Sequence, residues 1–447
     1  MLTDRSHATG IIDSMATTTD PRSIVVRLHR RLGFGTTGVG IDAALARGLS
    51  AEVSRLVDPA GAGLHVPPDA WDGVDLGFVK GKVAATTVSM VDGWLARMRT
   101  TEWPVAERLA WFWHGHFVSA MAKVRTPAYL ADQIRLFQTA GAGPFASLLR
   151  AVTIDPAMLV YLDLRDSTAK DPNENYGREM LELFTLGRTA GYTEADVQSA
   201  ARALTGWTAP AGRERVGPAK FVARRHDDSS QTLVGLGGVH DLDTTVAAVA
   251  GHPACARWIA GRLARAVIGP DVDDAVVAGL ADRFRASGLV VSSLIADLAA
   301  QLAAGVDGGP VVLAPVPWLV MAERACGVAA PGRERVTLLR AAGQLPLDPP
   351  NVGGWPSGDA WFGSSTVVAR FNLASVIAGN AVAGADGIAP DAAPVVLAAR
   401  SGEHDVLAHA LGLGAPFGPE TTAQLSAVVD PASRIVLALT SPEFVLA

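Results

Sequence analysis

The stretch from residue 171 to residue 187 predicts a short helix with a dense polar face, and it reads DPNENYGREMLELFTLG. Wound at 3.6 residues per turn, the stretch brings four polar side chains into one narrow arc. These side chains are Asn175, Arg178, Glu179 and Glu182. A polar cluster of this density either faces water or builds a site.

The ends of this helix carry their own signals. Asp171 is predicted to be the N-cap, with Pro172 at the first helical position and Glu174 completing a capping box. Gly187 marks the end of the helix, because glycine is favoured just past a helix C-terminus.

Two interpretations of the polar face remain open. On a solvated face, Arg178 and Glu182 would form an ion pair four residues apart, worth a few tenths of a kcal/mol. In a site, Glu179 and Glu182 would converge on a metal ion, since residues one turn apart share a helix face. Arg178 would then anchor the site or bind an anionic substrate.

Composition limits the class of protein. Hydrophobic residues form 49% of the 447 residues and charged residues 18%, so a large core is expected and global disorder is excluded. The net charge of −6 gives no basic footprint for nucleic acid. Residues 1–20 lack the apolar core of a signal peptide, and no uninterrupted apolar run reaches about 18 residues. We therefore expect no membrane span and a cytoplasmic location.

Hydrophobic periodicity predicts helices through most of the chain. The clearest segments are residues 23–32, 42–56, 104–118, 129–139, 144–151 and 253–267. Residues 221–222 and 231–234 are predicted to pair as a small hairpin around His226. The long loop 343–363 carries Trp355 and Trp361 and is equally compatible with a functional and an architectural role. The predicted fold is mainly α, a multi-helical unit with long structured loops and at most a small β-hairpin.

Histidines supply further candidates. His114 and His116 lie two residues apart, so on a helix they point in nearly opposite directions and cannot both bind one ion. One of them is expected to face a site, as a ligand or an acid–base group, unless both are structural histidines among aromatic neighbours. His226 and Asp227 form a second pair of a kind that binds hard or borderline metal ions.

Nucleotide-binding and common hydrolase motifs are absent. Gly33, Gly35 and Gly38 match the spacing of a dinucleotide fingerprint, but the segment before them is helical in period and no βαβ unit follows. The chain has no P-loop lysine, no HExxH motif and no nucleophile-elbow serine. No nucleotide cofactor is therefore expected.

Several blocks of the sequence together resemble the bacterial domain-of-unknown-function family 1800, over nearly the whole chain. Besides the stretch 171–187, they are residues 31–35, 113–117, 188, 192–197, 201–207, 226–227, 252–257, 348–356 and 441–444. The chain departs from the family pattern at Gly115, where asparagine is usual, and around residues 314–318. The resemblance implies one multi-helical domain over residues 23–447 after a flexible tail of residues 1–22. A division into two lobes, joined near residues 305–317, stays open.

The first functional hypothesis is a metal-dependent enzyme, hydrolytic or oxidative, that holds zinc, iron or manganese. Its predicted ligands are Glu179, Glu182, His226, Asp227 and His116. Arg178 and His114 are the predicted catalytic residues. The alternative is a non-catalytic helical scaffold or assembly partner with a buried charged network. The resemblance also implies a partner, a sulfatase-like protein of domain-of-unknown-function family 1501.

Overall fold

The computed structural model describes residues 20–58, 71, 74–76, 82–210, 216–386 and 393–447. Within these ranges the chain forms twenty-three α-helices and two sheets of two short strands each. This architecture confirms the predicted mainly α fold. Most of the predicted flexible tail lies outside the described residues, and the first helix begins at Pro21.

The helices of the first half have short connections. They are α1 (Pro21–Leu32), α2 (Gly38–Arg47), α3 (Leu49–Val57), α4 (Val83–Thr100), α5 (Pro104–His116), α6 (Met121–Val124), α7 (Pro127–Ala140), α8 (Phe145–Thr153), α9 (Pro156–Tyr161), α10 (Glu174–Glu179) and α11 (Glu194–Ala203). The predicted helix over 42–56 is in fact two helices, because Gly48 has a φ of 85° and separates α2 from α3.

The second half continues in the same manner. Its helices are α12 (Leu242–Gly251), α13 (Pro253–Val267), α14 (Asp274–Ala286), α15 (Val291–Ala303), α16 (Pro315–Cys326), α17 (Gly332–Ala341), α18 (Ser364–Asp386), α19 (Ala393–Ser401), α20 (His404–Ala410), α21 (Pro419–Ala427), α22 (Pro431–Thr440) and α23 (Pro442–Val445). Short 3-10 turns cover Leu164–Asp166, Ala223–Arg225 and Gly358–Phe362. The segment 343–363 is otherwise irregular, as predicted.

The predicted strand pairing around His226 is wrong. Strand β1 (Trp207–Thr208) pairs with β2 (Lys220–Phe221), and β3 (Gln231–Leu233) pairs with β4 (Leu236–Val239), both antiparallel. The physical reason is the turn at Val234 and Gly235, which both have positive φ and fold β3 directly back onto β4.

The segment 171–187 does not form one α-helix. It is α-helical from Glu174 to Glu179 and then winds as a π-helix over Met180–Thr185. The N-cap is Asn173, whose side chain accepts from the N–H of Asn175, so the predicted cap at Asp171 is wrong. Asp171 instead bonds to Thr168 in a tight turn. The end signal at Gly187 is confirmed, with a φ of 81°.

The π-helix has a packing consequence. Its wider turn leaves two carbonyl groups for side chains of other helices: the Leu183 carbonyl accepts from the indole of Trp258 (2.9 Å), and the Phe184 carbonyl accepts from His116 (3.0 Å). The arc calculated at 3.6 residues per turn therefore does not extend past Glu179.

Helix α5 is fixed by the buried carboxylate of Glu107, which is 0% exposed. Its oxygens accept hydrogen bonds from Arg97 and Trp94 (3.1 Å) on α4 and from Gln138 (3.1 Å) on α7. The network joins three helices around one residue, and it determines which side of α5 faces the core.

One large hydrophobic cluster extends from Ile24 to Ala447 and contains side chains from nearly all the helices. Arg31 connects the first helix to the C-terminal residues, because its guanidinium donates to the carbonyls of Ile268, Gly309 (3.1 Å) and Ala447 (2.5 Å). The division into lobes near residues 305–317 stays a prediction.

Helix α18 is the one described helix that is long and apolar enough to cross a membrane, over Ser364–Gly384. Of that window 39% is buried, and the helix packs against α16, α17 and α22. Val367, Val368 and Phe371 are exposed on its other face. Length and composition alone are weak evidence for a span, so the expected absence of a span stays a prediction.

Replacing Glu107 with alanine is expected to destabilise the fold by about 3–5 kcal/mol, because the buried guanidinium of Arg97 loses this carboxylate. Urea denaturation at neutral pH measures the effect. The control is Glu102→Ala at an exposed position, which should stay within about 0.5 kcal/mol of the parent. Equal stability of the two variants would show that the network does not hold α5.

Candidate ligand-binding cavity

The predicted catalytic residue Arg178 is engaged in surface ion pairs. Its guanidinium donates to Glu194 at the start of α11 (2.9 Å) and to Glu174 one turn earlier (3.1 Å). Glu182 pairs with Arg188 instead, so the predicted Arg178–Glu182 pair is wrong. The π turn between Glu179 and Glu182 breaks the spacing on which that pair depended.

Glu179 is half-buried and accepts no hydrogen bond from the described residues. Burial, together with the negative charge of Glu182, raises the pKa of Glu179 above its ordinary value. Glu182 is therefore close enough to influence the charge of Glu179, but each carboxylate has a different set of neighbours.

The pair His226–Asp227 lies beside the first small sheet. The Nδ1 of His226 donates to the carbonyl of Thr205 (2.9 Å), and this bond fixes the orientation of the ring. Asp227 accepts from the hydroxyl of Ser229 (2.5 Å) and from Arg202 (3.3 Å). These bonds lower the pKa of Asp227.

His114 and His116 are both buried, on different sides of α5. His116 donates from Nε2 to the Phe184 carbonyl, and burial lowers its pKa well below the ordinary value. His114 accepts at Nε2 from the N–H of Leu347 (3.0 Å), so its proton lies on Nδ1, which has no acceptor among the described residues. Burial lowers the pKa of His114 to about 3.

The predicted ligands do not converge. Among the described residues, no three His, Cys, Asp or Glu side chains are placed to hold one metal ion. Glu182, His226, Asp227 and His116 each bond to a different partner within the protein. The residues present therefore do not fit the shared ion that the sequence predicts.

A cavity of about 590 Å³ opens on another side of α5. Its walls come from α1, α5, α13 and α15, from the segment 310–317 and from the segment 353–361 of the long loop. Helix α5 contributes Arg108, Trp111, Phe112 and Gly115, whose spacing places them on one stripe of the helix. A volume of this size suits a small organic molecule.

Three tryptophans, Trp111, Trp355 and Trp361, belong to the apolar wall. Trp355 stacks on Trp111, with ring centroids 4.7 Å apart and an interplanar angle of 16°. His114 lies edge-on to Trp355 at 5.2 Å and so supports the pair. Gly354 has a φ of 85°, and a Cβ there would lie 2.4 Å from the Gly115 carbonyl, so glycine is required for this close approach.

The charged wall is entirely cationic. Four arginines line the cavity, Arg31, Arg108, Arg262 and Arg265, and none of the described residues around it is acidic. Burial lowers the pKa of Arg262, and the positive charge of Arg265 lowers it further. The lining of the cavity is therefore positively charged, in a protein whose net charge is −6.

Three N–H groups of residues that line the cavity have no acceptor in the described part of the chain. They are the Nε of Arg31, the Nη1 of Arg108 and the Nε1 of Trp355, and all three atoms are buried. The Arg108 guanidinium lies over the ring of Phe34 (5.6 Å), and burial lowers the pKa of Arg108 to about 10. Buried donors normally have a partner, so these groups are available to hydrogen-bond a bound molecule.

Comparison with protein families matches residues 27–446 to the family described as "Protein of unknown function (DUF1800)". The chain belongs to this family. Comparison with curated proteins found no match, and comparison with solved structures found none either.

Sequence reasoning on this DUF1800 member singled out Trp355 and Trp361, and both line the cavity. It missed Arg108, Arg262 and Arg265. A usable signal was the stripe of residues 108, 111, 112 and 115, which puts a charge among aromatic side chains on one helix face. The arginines of α13 gave no such signal, because only the fold brings them to the same cavity.

We expect His114 to make the protein acid-sensitive. Because its pKa is about 3 in the folded state and about 6.5 in the unfolded state, protons favour unfolding as the pH falls from about 6.5 towards 3. The stability advantage of the parent over His114→Gln should then shrink by up to about 1.4 kcal/mol per pH unit. Urea denaturation from neutral pH to about pH 4 measures it. Parallel stability curves for the two proteins would contradict the shifted pKa.

Proposed function

We propose that this protein binds a small organic molecule in the cavity beside α5. The single observation that carries the proposal is the cavity of about 590 Å³ with a tryptophan wall and a cationic wall. Ligand sites of proteins have this size, are mostly apolar and carry a few polar groups at fixed positions.

The packing around the cavity supports ligand binding over a purely structural role. The cavity is a concave surface with a mostly apolar lining and four arginines. A helical scaffold gains nothing from arginines that lack carboxylate partners at such a surface. A concave apolar site with a few polar groups at fixed positions is the arrangement that ligand-binding proteins use.

A metal-dependent reaction with zinc, iron or manganese, a sulfatase-like partner and a cytoplasmic location all remain predictions. The arrangement of the described carboxylates and histidines gives the metal hypothesis less support than the cavity gives to ligand binding.

Filling part of the cavity should weaken binding. Ala266 on α13 lines the cavity and is half-buried, so Ala266→Trp is expected to occupy part of its volume. The probes are the fluorescent dye anilinonaphthalene sulfonate and its uncharged analogue phenylnaphthylamine. We expect at least one dye to bind the parent protein at a single site. Ala266→Trp should weaken that binding at least about tenfold, since the dye loses its place.

The matched control is Ala300→Trp, the same change at an exposed position of α15. It should leave dye binding unchanged, and circular dichroism should show all three proteins equally helical. Failure of both dyes to bind the parent, or equally tight binding to the Ala266→Trp variant, would contradict the proposed function.

A further inference from the structure

We infer that the ligand is an organic anion, a carboxylate, sulfonate or phosphate ester carried on a flat apolar body, and that Arg108 binds its charged group. This inference rests on the proposed function, since it names the class of molecule that the cavity accepts. It is carried by the charges and the unpaired donors of the lining, which are independent of the cavity's volume.

The arginines of the cavity wall carry positive charge. Arg108 and Arg262 are half-buried, and this burial lowers the pKa of each guanidinium. Arg265, which is exposed, adds a third positive charge beside Arg262. The described residues around the cavity offer no carboxylate to any of them. Burying a cation without a counter-charge costs free energy, and an anionic ligand supplies the missing negative charge.

Arg31 and Arg108 differ in the hydrogen bonds that their guanidinium groups make. Arg31 shows how an arginine of this cavity is used structurally, since its guanidinium donates to three backbone carbonyls. Arg108 has no such bonds, and its Nη1 lacks an acceptor among the described residues. Its guanidinium lies over the ring of Phe34, a cation–π contact that supplies no hydrogen-bond acceptor to the N–H groups.

The adjacent carboxylate cannot serve Arg108. Glu107 is directed into the core, where Arg97, Trp94 and Gln138 donate to it. Successive residues of a helix point about 100° apart, so the bonds of Glu107 leave Arg108 on the cavity side. The sequence thus places the anchored carboxylate and the unpaired cation on neighbouring faces of one helix.

The indole N–H of Trp355 is a second donor for the anion, and the aromatic side chains around it suit a flat ligand. The Nε1 of Trp355 is also without an acceptor in the described ranges, and its ring is held by the stack on Trp111. An anionic oxygen accepts strong hydrogen bonds from guanidinium and indole N–H groups. The neighbouring aromatic side chains, with Phe112 and Trp361, suit the flat apolar body.

The test compares the sulfonated dye with its uncharged analogue. We expect anilinonaphthalene sulfonate to bind the parent protein more tightly than phenylnaphthylamine. Arg108→Gln should weaken binding of the sulfonated dye at least about tenfold, because a charge-assisted bond is lost. The same substitution should change binding of the uncharged dye little. Arg108→Lys should restore part of the affinity, since it keeps the charge but not the planar fork.

Two further variants provide a second test of the charge and a control. Arg262→Gln removes charge from α13 and should act in the same direction, so the inference stays testable if Arg108→Gln is unstable. Arg224→Gln, at an exposed position outside the cavity lining, should have no effect.

The outcomes separate this inference from the proposed function. Equal affinity for the two dyes, unaffected by Arg108→Gln and Arg262→Gln, would overturn the anionic ligand and leave the binding site intact. Equal weakening of both dyes by Arg108→Gln would assign Arg108 to the shape of the cavity and also overturn the inference. If neither dye binds the parent protein, the proposed function itself fails.

Discussion

The buried carboxylate of Glu107 is the interaction on which the rest of the cavity depends. It draws α4 and α7 onto one side of α5 through Arg97, Trp94 and Gln138. A buried carboxylate is stable only with such donors, so the side of α5 that faces these helices is fixed. The stripe that begins at Arg108 is thereby directed into the cavity.

The protein treats its buried charges in two different ways. Two glutamates elsewhere in the interior have arginine partners: Glu52 accepts from Arg55 (2.6 Å), and Glu323 accepts from Arg335 through both oxygens (3.0 and 2.9 Å). The cavity arginines lack such partners among the described residues. Among these cavity arginines, Arg31 serves the fold through backbone carbonyls, whereas Arg108 has neither a carboxylate nor a carbonyl partner and is available to a ligand.

Sequence periodicity predicted the helical fold, because apolar stripes and proline or glycine punctuation are local signals. It failed where tertiary bonds decide the outcome. Trp258 and His116 donate hydrogen bonds to the free carbonyls of the π-helix after Glu179. Neither residue is near the π-helix in sequence. The conspicuous polar face of residues 174–182 consequently forms surface ion pairs. The cavity stayed hidden because its arginines come from distant helices.

The most direct measurement follows the indole N–H resonance of Trp355 by two-dimensional NMR, assigned with Trp355→Phe, while anilinonaphthalene sulfonate is added. A sulfonate that accepts from this N–H should move the resonance further than the other indole resonances, until one dye is bound per protein. An unmoved Trp355 resonance under a saturating dye signal would place the dye elsewhere and contradict the cavity as the binding site.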